Sequence, residues 1–579
     1  MAQAEGFAQE RVSSSFRAYV SSQIPLASPR FVAVRASLGL DSTVFEMLFC
    51  SWLACRSSEK FTSDKRVGMV VGNGTNRLAE KQDLVYLVIL LAVALVIGTH
   101  LIFTTVLISK DGVSYIEWAQ ELSANPRAVI KGHPFGYPFL IFIAHKFAAL
   151  FLEGNSVFTW IWSAQWVALL CRLLALVPLY FLGRLFIGPW KSFCAVLILV
   201  ILPYPAKFGS DVLRDWPHIL FLVAGFLLLV SGSKNSKWWF FGWAGLLAGL
   251  GYLIRPECAQ LVVYGACWLL IRLFVPKPEM SRARLTCALL FLLIGFAVPV
   301  VPYSMVRGRF LPARFKTLIS SSGRAPSDTT DERHVGTARH ICAGLSVTGN
   351  VLYTVGRLIE QFSGSLMHFF LPALLVGIHS RFRKKSDPTV EERFFVTAFV
   401  ILNILMMLLL CCQSGYISKR HCLPLVVLTI FYVPAGLHIL GEWIGTLFSR
   451  CVRKPCWAGS AKLASLYVLL VGSLVTCLPR LIRPIHLEKQ GYRDAAEWLT
   501  NNTAKSDIIT VPDRRISFYA EREGYLYGNK VFERFTYALK IMGDENEEPN
   551  LGRPVQKKYS VLVDKRKKRG KKLVIYRML

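Results

Sequence analysis

Acidic residues are scarce in this chain. Asp and Glu number 37 against 67 Lys and Arg, a formal net charge of +30. In a water-soluble protein such an excess points to a nucleic acid. No aromatic-plus-basic pattern suited to base stacking accompanies it, so no nucleic-acid partner is expected. CxxC pairs are missing as well. The 14 cysteines include several inside apolar runs, such as Cys411 and Cys412, and read as small apolar residues, which excludes a disulfide framework or a zinc module. No cleavable signal peptide is evident, because the first long apolar block starts at Leu84. That block also lacks charge, running from Leu84 to Ile108 for 25 residues without one.

What is present is apolar sequence in blocks. Apolar residues make up 53% of the chain, against about 45–50% in a soluble domain. A spanning helix needs about 20 of them in a row. Runs comparable to 84–108 recur near 158–182, 191–204, 217–233, 238–254, 258–275, 285–303, 364–380, 394–412, 422–443 and 463–479, which makes about eleven spans. The run 191–204 is short and reads as a tilted or broken helix. The expected fold is an α-helical polytopic membrane protein.

Three regions follow. Residues 1–83 are polar and Ser-rich, with one apolar patch, MLFCSWLAC (47–55), too short to span. They read either as a cytoplasmic N-terminal tail, disordered, or as a misassigned start ahead of Met69. Residues 84–480 hold the spans. With the N-terminus in the cytoplasm, the cytoplasmic loops carry Arg184, Lys234, Lys237, Arg282, Arg284, Arg381, Arg383 and their neighbours, in line with the positive-inside rule. The 304–362 loop is also basic and lies on the opposite side, against that trend. An odd number of spans puts residues 481–579 outside. GYRDAAEWLTNNTA (491–504) patterns as an amphipathic helix with Ala495, Ala496 and Leu499 on one side; DIITV (507–511), YSVLVD (559–564) and KLVIYRML (572–579) pattern as strands. The result is a small α/β domain, with the basic run KRKKRGKK (565–572) as a hairpin turn.

Four membrane-boundary loops on the non-cytoplasmic side hold the polar chemistry. SKDGVSYIEWAQEL (109–122) places Asp111 after the first span, on one helical face with Tyr115 if the loop is helical. An Asp at a helix start is also an ordinary N-cap. PYPAKFGSDVLRDWPH (203–218) offers Asp211 and Asp215, the latter again a possible cap beside Trp216–Pro217. GYLIRPECAQ (251–260) sets Arg255 and Glu257 in a two-helix turn, where an Arg alone could be a snorkelling anchor. SGYISKRHCLP (414–424) carries Lys419, Arg420 and His421, three basic groups on the side the positive-inside rule disfavours, which points to a bound anion. Charge beside lipid is costly and usually functional. Cations at headgroup level suit a lipid-linked phosphate, and a nearby carboxylate suits activation of a hydroxyl nucleophile.

The Asp-x-x-x-Tyr at Asp111–Tyr115, HPFGYP (133–138), GLLAGLGYLIRPE (245–257), YISKRHCLPL (416–425) and RDAAEWL (493–499) resemble GT-C superfamily glycosyltransferases of the protein O-mannosyltransferase and aminoarabinose transferase type. The likeness is greatest to the bacterial dolichyl-phosphate-mannose-protein mannosyltransferase-like branch and covers roughly residues 84–530. It implies a multi-span helical catalytic domain with juxtamembrane helices, HPFGYPFLIFIAHKF (133–147) among them, plus a small outer domain. It implies a polyprenyl-phosphate sugar as donor, a lipid, glycan or protein acceptor, and a multi-pass protein of the bacterial inner membrane whose site faces the periplasm or exterior. Asp111 would match the family's general base, and Asp211 or Asp215 its second acidic position. Arg255, Lys419 and Arg420 would bind the donor phosphate. His133 would contact donor or acceptor, and Tyr115, Glu257 and His421 complete the expected substrate-binding set. No cluster with metal-ligand spacing is evident, so no cofactor is expected and a divalent metal is left open. Two other classes share the membrane setting: a transporter or flippase of lipid-linked sugars, and an O-antigen-type polymerase or ligase.

Overall fold

The computed structural model describes residues 74–151, 156–275, 280–308, 347–383, 388–414, 416–452, 458–527, 535–542, 554–564, 566 and 570–579. Most of the proposed N-terminal tail, most of the basic 304–362 loop and much of the 565–572 run lie outside the described residues. Lys81–Leu579 forms one compact unit; of the unit Met1–Glu80 only the stretch from Gly74 is described, as the start of a helix.

In chain order the helices are α1 (Gly74–Phe103), α2 (Lys110–Glu121), α3 (Pro126–Gly132), α4 (Gly136–Ala148), α5 (Val157–Ile187), α6 (Pro189–Ile201), α7 (Pro203–Phe208), α8 (Asp215–Lys234), α9 (Trp239–Ile254), α10 (Gln260–Phe274) and α11 (Arg282–Arg307). There follow α12 (Val347–Ser365), α13 (Phe370–Arg383), α14 (Val390–Ser414), α15 (Leu423–Thr429), α16 (Val433–Val452), α17 (Ala458–Ile482), α18 (Gln490–Asn502) and α19 (Arg514–Ala520). Among the described residues, eight stretches are long and apolar enough to cross a membrane. Two of the expected runs, 191–204 and 238–254, fold instead as the shorter helices α6 and α9. The run 364–380 is not one straight span: it falls across the break between α12 and α13, which are bent by 101°. Met367 and His368 sit at that break in the left-handed region, with φ of 58° and 60°.

Glycine and proline set the boundaries around the polar loops. Gly188, at φ 84°, ends α5, and Pro189 opens α6 at the position where a missing N–H costs nothing. Leu202 precedes Pro203, is forced extended (φ −64°, ψ 125°) and ends α6. One carbonyl left over at that helix end, Val200 O, accepts from Nη2 of the fully buried Arg172 (2.9 Å). Pro256 does the same to Arg255, which is extended at φ −148° and closes α9.

The C-terminal part is a five-stranded mixed sheet in the order β2-β1-β3-β5-β4, made of β1 (Ile509–Val511), β2 (Gly524–Leu526), β3 (Tyr537–Met542), β4 (Val555–Leu562) and β5 (Lys572–Met578). β1 runs parallel to β2 and β3; β5 runs antiparallel to β3 and β4. β2 and β3 escape a sequence reading that marks only three strands. α18 buries Ala495, Ala496 and Leu499.

The sheet and the membrane-boundary helices share one core. Leu107, Ile108, Val113, Ile116 and Tyr137 pack in the same cluster as Tyr492, Leu499, Ile516, Leu539 and Ile575. Each large side chain buried there contributes about 1.5–3 kcal/mol. α4 lies against this core through Tyr137 and Ile141 while exposing Phe139, Ile143 and Phe147, the two-faced pattern of a helix lying in the membrane interface.

Candidate active site

Asp111 does not cap α2. The cap is Ser109, whose Oγ accepts from Gly112 N (3.2 Å), so the Asp111 carboxylate in the first turn is released for other partners. Its Oδ2 accepts from Nη1 of Arg420 at 2.7 Å, and its side chain stays half exposed. Asp215 opens α8 without making a capping hydrogen bond. Its Oδ2 accepts from Arg420 Nε (3.0 Å) and its Oδ1 from Arg255 Nη1 (2.6 Å), although only 1% of the side chain is exposed. A buried carboxylate needs such paired cations to remain ionised. Arg255 also faces Glu257, at 3.7 Å. Four of the loops singled out in the sequence therefore meet at one end of the helical bundle, in the chain of contacts Asp111–Arg420–Asp215–Arg255–Glu257.

Burial alone would weaken the charge on Arg420; Asp215 and Asp111 outweigh it and hold the guanidinium above its ordinary range. His421, next in sequence, behaves in the opposite way. Burial and the nearby Arg255 push its imidazole down to about 4. Its Nδ1 accepts from Ser418 N (3.2 Å), which places the proton of the neutral ring on Nε2. His421 is thus a neutral hydrogen-bonding group at pH 7 and not a third cation.

Tyr115 lies one turn from Asp111, buried edge-on between Trp118 and Tyr137, with Arg214 over its ring at 5.8 Å. Burial raises its hydroxyl above the ordinary value, with Arg214 opposing. His133 stacks on Trp118 with ring centroids 3.7 Å apart, and burial lowers its affinity for a proton. Its ring therefore belongs to the aromatic group beside α2 rather than to the carboxylate–guanidinium chain.

Two expected site residues face elsewhere. Lys419 donates to Tyr204 Oη (2.6 Å) and lies over that ring, while Arg420 beside it turns to the carboxylates. Asp211 accepts from Ser109 N (3.0 Å) and Val212 N (2.7 Å), and its other oxygen faces His486 at 3.5 Å. Of the two acidic residues in the second loop, Asp215 is the one that joins Asp111 around a common cation. Arg214, which stands between Asp211 and Asp215 in the sequence, belongs to the same neighbourhood, as do two residues that no sequence pattern marks, Trp118 and Arg514, the latter paired with Glu117 at 3.1 Å. Single residues of this kind carry no motif; only the meeting of distant segments reveals them. Among the described residues no group of His, Cys, Asp and Glu has the arrangement of a metal site.

Residues 132–303 match the model of the family described as dolichyl-phosphate-mannose-protein mannosyltransferase. That segment holds His133, Asp211, Asp215, Arg255 and Glu257; Asp111 and Lys419–His421 lie on either side of it. Among solved structures the chain is similar to ArnT from Cupriavidus metallidurans bound to undecaprenyl phosphate, at 13% identity and a TM-score of 0.49, covering 84% of this chain and 97% of that one. It is also similar to the oligosaccharyltransferase AglB from Archaeoglobus fulgidus, in complex with an inhibitory peptide and a dolichol-phosphate, at 13% identity and a TM-score of 0.46, covering 79% and 69%. No curated protein sequence matches. Within the multi-pass helical domain, residues 132–303 are thus similar to the dolichyl-phosphate-mannose-protein mannosyltransferase family.

Proposed function

We propose that the protein transfers a sugar from a polyprenyl-phosphate donor to an acceptor hydroxyl at the extracytoplasmic face of a bacterial inner membrane, inverting the anomeric centre. The observation that carries this reading is the sharing of Arg420 between Asp111 and Asp215. A guanidinium has five N–H donors in a planar fork. Two of them engage the carboxylates, which leaves others suited to the oxygens of a phosphate. The family description over residues 132–303, which names a lipid-phosphate sugar, supports the donor class.

In this reading Asp111, half exposed, takes the proton of the acceptor hydroxyl as its oxygen attacks the anomeric carbon. The bond from that carbon to the phosphate oxygen breaks, and the polyprenyl phosphate leaves with the electron pair. Arg420 and Arg255 stabilise the charge growing on the leaving group, a preorganised electrostatic effect often worth about 3–4 kcal/mol. Asp215 holds the two guanidinium groups together and in place. Lys419 would have to leave Tyr204 to join them at the lipid phosphate. His133, Tyr115, Glu257 and His421 line the substrate side, and Asp211 supports the loop from behind. Residues 84–480 form the catalytic membrane domain, 481–579 a small extracytoplasmic domain, and 1–83 a preceding cytoplasmic segment.

The test is a transfer assay on membranes containing the full chain, with labelled polyprenyl-phosphate sugars and mass spectrometry of the glycosylated products. Label should appear on an acceptor in the wild type and not in Asp111→Asn. Movement of intact lipid-linked sugar across the bilayer without a new glycosidic bond would replace this reading with a transporter.

A further inference from the structure

The reaction needs the Asp111 carboxylate at a fixed place, yet Asp111 sits in the first turn of a twelve-residue helix beside the membrane surface. What holds that turn is the segment in front of it. Ile108 is fully buried. Its N–H donates to Tyr519 Oη at 3.1 Å, and its carbonyl accepts from Arg515 Nη1 at 3.1 Å. Both partners come from α19, about 400 residues downstream. Arg515 is itself aimed by a fork onto Asp513, through Nε (2.9 Å) and Nη2 (2.7 Å). One residue on, Ser109 N donates to Asp211 Oδ1 and Ser109 Oγ to Val212 O (2.9 Å). Two residues before, Val106 N donates to Ile485 O (3.2 Å). On the far side of α2, Glu117 pairs with Arg514.

We infer that Arg515 and Tyr519 are positioning residues for catalysis: the C-terminal domain grips Ile108 by both of its backbone groups and thereby fixes where Asp111 stands relative to Arg420. This rests on the reading that Asp111 is the reacting base. Neither residue touches the Asp111–Arg420–Asp215 chain, so neither is a catalytic residue. The physical argument is one of leverage. An unpaired buried backbone group is costly, so loss of either bond lets residues 106–109 relax toward new partners. A displacement of about 1 Å in a reacting group can cost on the order of 100-fold in rate. Donor binding, which this reading assigns to Arg420 and Arg255, should change little, because both keep the buried Asp215 of α8 when the bond from Arg420 to Asp111 shifts.

The experiment uses the full chain in membranes or detergent, as wild type, Tyr519→Phe and Arg515→Lys, with Tyr519→Phe chosen because it keeps the ring in the core. Three quantities are read: kcat and donor KM with a labelled polyprenyl-phosphate sugar, the thermal midpoint, and hydrogen exchange of the backbone across residues 104–116. For Tyr519→Phe the expected result is faster exchange confined to that stretch, kcat lower by about 10-fold, a donor KM within about 2-fold of wild type and little change in midpoint. Arg515→Lys, which can still reach one carbonyl, should fall between wild type and Tyr519→Phe. Faster exchange with unchanged kcat overturns the positioning role. Unchanged exchange and unchanged kcat overturn the clamp altogether. A fall in kcat matched by an equal rise in donor KM, or by a general loss of protection, reduces both residues to structural ones. Failure of the functional reading looks different: Asp111→Asn would turn over like the wild type while the exchange result stood.

Discussion

Arg420 reaches the carboxylate of Asp111 at 2.7 Å across 309 positions of sequence. The bond joins the loop after the first apolar helix to the loop before α15, and it closes the end of the bundle where the carboxylates collect. It is also the weaker half of the pair of bonds Arg420 makes, since Asp111 is half exposed and Asp215 is not.

Replacement of Asp111 by Asn should leave the protein folded and in the membrane. The side chain is exposed enough that losing its ion pair costs little, on the order of 0–1 kcal/mol. Transfer should fall by at least about 100-fold if this carboxylate is the base. Labelled-sugar incorporation per mole of membrane-extracted protein measures it; wild-type turnover would remove Asp111 from the reaction.

Asp215→Ala should behave in the opposite way. It removes the shorter ion pair of Arg255, which is 9% exposed at the side chain, and leaves Glu257 at 3.7 Å. Removing one partner of a buried pair costs about 3–5 kcal/mol. The expected result is a lower thermal midpoint and less folded protein in the membrane, alongside lost activity. A midpoint equal to that of Asp111→Asn would show the pair to be unimportant for stability.

Arg420→Lys should impair transfer despite keeping the charge. An ammonium is a point donor and does not reproduce a planar fork shared between two carboxylates and a phosphate. Donor KM is expected to rise by about 10-fold or more, read from initial rates over a range of donor concentrations. An unchanged KM would separate Arg420 from donor binding.

Acid pH should destabilise the protein through His421. Its folded value of about 4 lies below the ordinary histidine value of 6.5, so the unfolded chain binds more protons between these limits. The stabilisation is fully present above pH 6.5 and is lost as pH falls toward 4. Midpoints measured across that window should drop less steeply in His421→Gln than in the wild type. Parallel slopes would show that the ring titrates normally.

Gly436→Ala should disrupt the crossing of α13 and α16. A methyl group there would run into the carbonyl of Ala373, and one at Gly377 would meet that of Tyr432. Small residues let membrane helices approach this closely, and overpacking costs about 1–3 kcal/mol or more. The yield of folded protein after detergent extraction reports it; a normal yield for both Gly377→Ala and Gly436→Ala would show that the helices part easily.

Much of the architecture is legible in the amino-acid sequence. Long uncharged runs allow few folds, because every backbone polar group in lipid must be bonded within a helix or a closed barrel. The same legibility extends to α18, where Ala495, Ala496 and Leu499 recur at helical spacing and are buried. Short elements are less legible. β2 spans three residues and takes its place by pairing with β1, a contact that no local pattern encodes.

The candidate site divides in the same way. Sequence by itself determined which loops hold the charged residues, because charge is expelled from apolar runs to helix ends, and it named Asp111, Asp215, Arg255 and Arg420 among the candidates. It left Asp211 and Asp215 equivalent, since both are carboxylates four positions apart in one loop. Only the tertiary structure gives them different surroundings. The extended residue before Pro203 and the restart of the helix at Asp215 turn one carboxylate toward Arg255 and Arg420, and the other toward Ser109 and His486. The same is true of the hold on Ile108 by Arg515 and Tyr519. Composition and periodicity are properties of neighbouring residues, whereas a hydrogen bond spanning some 400 positions exists only once the chain has folded back on itself.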